Sequence, residues 1–123
     1  MIERAPEQYL YASINGRLAR LPIKDIEWIQ AQRNYVRVHT GGAAHRIRST
    51  LRNLAVLPGM NPFLQIHRSV LINTAQVVTV RMRSSSNLEI TLRNGTALKV
   101  GRQYIDSVRT RLHAQVESLQ AAR

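Results

Sequence analysis

The chain has 123 residues and 44% apolar content, which suits one folded domain and excludes global disorder. Its 18 basic residues against seven acidic ones give a net charge of +11, and sixteen of the basic ones are arginine. Cysteine is absent, which excludes disulfides, thiolate zinc sites and cysteine catalysis together.

The charge imbalance is also local. From Trp28 to Leu88 there is no Asp or Glu, while eight arginines fall there. A surface that only solubilises mixes both signs, so this stretch reads as a footprint for a polyanion. Nucleic acid stands ahead of an anionic membrane surface or a generally basic surface. Met1-Ile2-Glu3-Arg4 does not open a signal peptide, and no apolar run nears the length of a membrane span. A cytoplasmic location is therefore expected.

In chain order, Tyr9 to Ile14 reads as a strand, Asn15-Gly16 as a hairpin turn and Arg17 to Leu21 as the return strand, limited by Pro22. Ile26 to Ala31 is the next strand, with Trp28 as a structural anchor, before Gln32-Arg33-Asn34 interrupts the pattern. Tyr35 to Thr40 alternates, with Val36 and Val38 on one face and Arg37 and His39 on the other. Gly41-Gly42 marks a hairpin whose second arm is Ala44 to Arg48. Ser49 to Leu57 is a short helix, capped by Ser49 or Thr50, apolar at Leu51, Leu54 and Leu57, and stopped by Pro58-Gly59.

Phe63 to Ile66 and Val70 to Ile72 then flank His67-Arg68-Ser69. Leu71 and Ile72 are adjacent, so the second of these strands is apolar on both faces, as a buried strand is. A buried, unpaired guanidinium is costly. The three polar residues are therefore expected where the backbone turns at the rim of a β structure, aiming the arginine outward. Gln76 to Met82 is a valine-rich strand, Ser84 to Asn87 a turn, and Leu88 to Arg93 a half-exposed strand. Asn94-Gly95 is a hairpin dipeptide, and Thr96 to Val100 completes that pair. Gly101-Arg102-Gln103 leads into a last helix with an apolar stripe at Ile105, Val108, Leu112, Val116 and Leu119. The expected class is mostly β, with one short internal helix and one C-terminal helix.

Six short strings, Ile26 to Trp28, Asn34-Tyr35-Val36, Ile47-Arg48-Ser49-Thr50-Leu51, Phe63 to Asn73, Asn94-Gly95 and Val100 to Tyr104, occur in one order. In that order and spacing the chain resembles LytTR-type DNA-binding domains from about Leu10 to Leu112. The resemblance implies a single such domain over 1–123, an elongated arrangement of small β-sheets with a two-turn helix. The C-terminal helix would extend beyond the matched region, toward residue 123. It also implies a bacterial transcription regulator whose loops enter successive major grooves of promoter direct repeats. The implied partners are duplex DNA, a second copy on paired sites, and a receiver domain or membrane inhibitor in a longer or separate chain.

In that family three loop positions supply the main base contacts, and they fall here on Asn34, Arg68 and Arg102. The chemistry agrees, because arginine forks onto guanine and asparagine pairs with adenine in the major groove. Asn34 also reads as a plain turn former, and Arg102 as an exposed residue opening a helix. Arg33, Arg48, His67, Ser69, Gln103 and Tyr104 are candidates for phosphate or sugar contact, although Tyr35 and Tyr104 also suit a core. Gly101 stands where the family often has serine, which removes a capping hydroxyl. Asp25 and Asp106 are the only aspartates, too few for a receiver's phosphoacceptor pocket.

Catalysis is the competing class. His39, His45, His67 and His113 could suggest a histidine nuclease. No two of them lie at metal-ligand spacing, however, and Ser69 has no acidic neighbour to orient His67. No enzyme, metal or cofactor is expected. The other alternative is a module for structured RNA or for protein interaction, controlled by a partner such as a membrane inhibitor.

Overall fold

The computed structural model describes residues 7–117, and the chain divides between Asn61 and Pro62 into two compact units. It is mostly β, as the alternation and turn residues predict.

In the first unit, β1 (Tyr9–Ile14) and β2 (Arg17–Pro22) form an antiparallel hairpin. Its turn residues Asn15 and Gly16 both take positive φ, 52° and 76°, in the mirror-image turn that matches strand twist. A 3-10 turn over Ile23–Asp25, which no sequence signal marked, leads to β3 (Ile26–Gln32). Next come β4 (Tyr35–Thr40) and β5 (Ala43–Ile47), antiparallel neighbours in the order β5, β4, β3. Val36 and Val38 are fully buried and Arg37 is exposed, so the alternation expected for β4 holds. A register shift between Ile26 and Trp28 lets Ile26 and Ile29 both face the core.

Helix α1 (Leu51–Ala55) is shorter than the Ser49 to Leu57 expected, and Thr50 is its cap, its Oγ1 accepting from the Asn53 N–H at 3.0 Å. Leu51 and Leu54 are buried, but Leu57 is exposed. The helix ends at Val56, because Pro58 disfavours a helical backbone at the residue before it.

The second unit opens with the hairpin β6 (Phe63–His67) and β7 (Val70–Asn73). All four residues of β7 are buried, as an apolar strand without alternation requires. Asn73 Oδ1 accepts from the Ala75 N–H at 3.0 Å, capping a 3-10 turn over Thr74–Gln76. β8 (Val77–Ser84), β9 (Asn87–Leu92) and β10 (Ala97–Lys99) follow in an antiparallel meander. At Asn94-Gly95 the Asn94 Oδ1 accepts from the Thr96 N–H at 2.8 Å.

A 3-10 turn over Arg102–Tyr104 runs into α2 (Ile105–Arg111), which buries Ile105 and Val108. The long last helix is corrected here. Leu112 leaves helical dihedrals (φ −115°, ψ 24°), a 3-10 turn spans His113–Gln115, and β11 (Val116–Glu117) pairs in parallel with β8. Val116 thus extends a sheet edge rather than a helical stripe, because the free edge of β8 offers it backbone partners. Leu119 lies outside the described residues. Among those residues no helix is long and apolar enough to cross a membrane.

Ile72 is wholly buried and Leu57 is 40% exposed. Urea denaturation of Ile72→Ala should therefore show a loss of about 2–5 kcal/mol, against about 0.5 kcal/mol or less for Leu57→Ala. Equal losses would mean that Leu57 is packed as its helical spacing predicts.

Candidate nucleic-acid interface

The polar break in the second unit is a two-residue turn, Arg68-Ser69, since His67 pairs with Val70 as the last residue of β6. Arg68 is exposed at this rim, as expected. Local bonds fix the turn. The Ser69 N–H donates to His67 Nδ1 at 3.1 Å, and Ser69 Oγ lies 2.9 Å from the same nitrogen. A backbone amide can only donate, so this network assigns the neutral ring's proton to Nε2. Gln65 Nε2 donates to the His67 carbonyl at 3.2 Å. His67 and Ser69, candidates for phosphate contact, thus spend part of their bonding capacity on each other.

Arg102 lies on an adjoining turn. A register shift between Gln65 and His67 takes Ile66 out of regular pairing, and its carbonyl accepts from the Gly101 N–H at 2.7 Å. The approach is close. A Cβ on Gly101 would sit 3.3 Å from His67 Cδ2 and 3.2 Å from Tyr104 Cδ2. A side chain at 101 would therefore need these neighbours to shift by a few tenths of an ångström, and no side chain caps the turn that Gly101 opens. Arg102 and Gln103 are exposed and Tyr104 is half-buried. The structure therefore brings Arg68 and Arg102 onto two joined turns.

Asn34 belongs to the first unit, in the two-residue turn Arg33-Asn34 between β3 and β4, and both residues are exposed. Arg33 adopts φ 56°, a left-handed conformation that costs a non-glycine residue about 1–2 kcal/mol. Arg48, just beyond β5, is exposed. On the solvent face of β3 and β4, the Trp28 and His39 rings stack in parallel with centroids 4.0 Å apart. His39 Nε2 is buried without a hydrogen-bond partner. Burial, and then the charge of Arg37, push the His39 pKa below the ordinary imidazole value. Across the hairpin, the Arg46 guanidinium lies 4.0 Å above the Tyr35 ring.

Sequence reasoning gave no role to Arg46 and read Arg37 only as part of a polar face. The signal was available, because a two-residue turn at Gly41-Gly42 places Arg37 directly opposite Arg46. Among the described residues, no group of three or more His, Cys, Asp or Glu is placed to hold a metal ion.

Comparison with known proteins bears on this geometry. Residues 16–113 match the model of the LytTr DNA-binding domain family. The transcriptional regulatory protein BtsR of Escherichia coli K12 is 29% identical over 97 residues, covering 77% of this chain and 39% of the relative. A response regulatory protein of Yersinia pestis is 25% identical over 105 residues, covering 85% of this chain and 43% of its own length. The chain thus spans about two fifths of these curated relatives. Among solved structures, the LytTr DNA-binding domain of a response regulator from Bacillus cereus superposes with a TM-score of 0.75 at 16% identity, over 88% of this chain and 98% of that one.

Two expectations follow from the first unit. Because the folded His39 pKa is depressed, the unfolded chain binds its proton more tightly. The protonated ring would also carry a buried N–H without an acceptor. Thermal stability should hold near pH 7 and decline as pH falls through about 6.5. His39→Phe should flatten that decline, and an unchanged profile would remove His39 as its source. Separately, Arg33→Gly relieves the left-handed strain and should leave stability equal or higher by up to about 1 kcal/mol. A clear loss by chemical denaturation would show that the Arg33 side chain supports the fold.

Proposed function

The chain belongs to the LytTr DNA-binding domain family, and from that premise we propose that it reads promoter direct repeats, its turns entering successive major grooves. Its partner is DNA, and its role is that of a non-enzymatic DNA-binding regulator. In this reading Asn34, Arg68 and Arg102 meet base edges. Arg33, Arg48, His67, Ser69, Gln103 and Tyr104 meet the sugar-phosphate backbone.

The observation that carries the reading is the joined pair of turns presenting Arg68 and Arg102, both exposed and tied by the Gly101 to Ile66 hydrogen bond. Base readout requires guanidinium forks whose backbones hold still, and a strand end buried against its own unit supplies that support. The bonded His67 ring keeps its Nε2–H free of the turn, suited to a phosphate oxygen. Two copies would occupy the two repeats. In a longer regulator the signal would come from a receiver domain, or from a membrane inhibitor in a separate chain.

A binding selection on random duplexes supplies the preferred site. Neutralising roughly five phosphates should give a slope of log affinity against log salt of about −4 to −5. Arg68→Ala should cost about 1–3 kcal/mol on the preferred site and much less on an unrelated duplex. Arg48→Ala should weaken both duplexes alike and lower the salt slope by about one. Equal weakening by Arg68→Ala on every sequence would reduce that residue to a backbone anchor. Tighter binding to RNA than to any selected duplex would overturn the DNA reading.

A further inference from the structure

The outer face of β4 and β5 holds an arrangement that the fold itself does not need. The tight Gly41-Gly42 turn, with φ of 43° and 87°, pairs Thr40 with Ala43 and so sets Arg37 directly across from Arg46. Their in-strand neighbours Val36, Val38 and Ile47 are buried, which leaves both arginines on the solvent face, where both are exposed. Directly opposed residues in an antiparallel pair have Cβ atoms about 4.5–5.5 Å apart, and like charges so placed repel. No carboxylate among the described residues pairs with either guanidinium. Trp28, Gln30, Tyr35 and His39, on the same side of the pleat, carry no negative charge to offset them.

We infer that Arg37 and Arg46 form a phosphate-binding pair on the β4–β5 face, gripping the backbone of duplex DNA beside the bases read from the Asn34 turn. The inference rests on the DNA-binding reading and adds to it a site separate from Arg33 and Arg48. Three observations support it. First, a phosphodiester placed between the two guanidinium groups replaces repulsion by two charge-assisted contacts. Second, Arg46 is steadied: its guanidinium carbon lies 4.0 Å from the Tyr35 ring centroid, a contact that holds the side chain without neutralising its charge. Third, at about 3.3 Å per strand residue, Arg37 stands about 10 Å along β4 from Asn34. That is the reach of a neighbouring phosphate rather than of the base itself. A face meant only for solubility would mix signs.

The test uses the whole chain, with Arg37→Gln, Arg46→Gln, the double variant and Arg37→Glu, each measured on the selected site and on an unrelated duplex across a salt series. Each glutamine should weaken both duplexes several-fold and reduce the salt slope by about 0.9, the double variant by about 1.8. Arg37→Gln should leave the melting temperature unchanged or higher, since it removes a repulsion and keeps the Arg46–Tyr35 contact. Arg37→Glu, which creates an opposed ion pair with Arg46, should raise the melting temperature while weakening DNA binding most. If the double variant binds with wild-type affinity and slope, the pair is not a phosphate site, although the DNA reading stands. If the glutamine variants lose melting temperature in step with affinity, the arginines are structural and the inference fails. Should the wild-type chain bind no duplex at all, both readings fall together.

Discussion

The hydrogen bond from the Gly101 N–H to the Ile66 carbonyl is the constraint that ties the turn bearing Arg102 to the strand that leads to Arg68. It exists because β6 slips register before His67, which withdraws Ile66 from regular pairing with β7 and leaves its carbonyl available. The bond is 2.7 Å long, and a Cβ at residue 101 would meet the His67 ring and Tyr104 closely. Two turns far apart in sequence are thereby joined through backbone atoms rather than through the long side chains they carry. Arg68 and Arg102 can then change rotamer for a ligand without loosening the support beneath them. A serine at 101 would add a capping hydroxyl to the following turn but would crowd the His67 contact. The glycine favours the joint over the cap.

Most of the strand framework was legible in the sequence because its signals are local. Asn15-Gly16, Gly41-Gly42 and Asn94-Gly95 each supply the backbone freedom a tight turn needs, and the alternation of Val36 and Val38 with Arg37 fixes a face. The unbroken apolar run Val70 to Ile72 correctly announced a strand buried on both sides. What failed depends on longer-range competition. The stripe from Ile105 to Leu119 is helical in spacing, but at Val116 a free strand edge competes with another helical turn, and the edge wins. The spacing of Leu51, Leu54 and Leu57 likewise overlooked the effect of Pro58 one residue upstream. At the interface, the sequence marked the exposed positions of Asn34, Arg68 and Arg102. The His67 to Ser69 bond, the slipped register at Ile66 and the left-handed backbone of Arg33 came only from the folded arrangement, since no residue type announces them.

Electrostatics accounts for the long acid-free stretch better than stability does. Two of the described carboxylates form surface pairs. Lys24 Nζ lies 3.2 Å from Glu7 and Arg83 lies 3.4 Å from Glu89, both exposed enough to contribute little to folding. Between Trp28 and Leu88 the chain carries no acidic residue of its own, and Arg83 finds its partner in Glu89 just beyond that stretch. It leans instead on aromatic surfaces, with Arg46 lying over Tyr35 and Trp28 stacked on His39. An aromatic face steadies a guanidinium without neutralising it. The positive field outside the protein is thus preserved, as an anionic partner requires.

Local rules are broken unevenly along the chain, and the pattern carries information of its own. The first unit places three such violations on β4, β5 and the turn that leads into β4: a left-handed arginine at position 33, a buried imidazole nitrogen without a partner in His39, and the like-charge pair Arg37 and Arg46. The corresponding turn of the second unit is instead well satisfied, with His67, Ser69 and Gln65 bonded among themselves. Evolution keeps an unfavourable arrangement mainly where function over-rides it. If both proposed sites hold, the two units would serve DNA by different physical means. The second holds its arginines on a relaxed, braced support suited to reading base edges. The first keeps two arginines opposed on a sheet face, and a phosphate bound there would relieve a repulsion already present in the free protein.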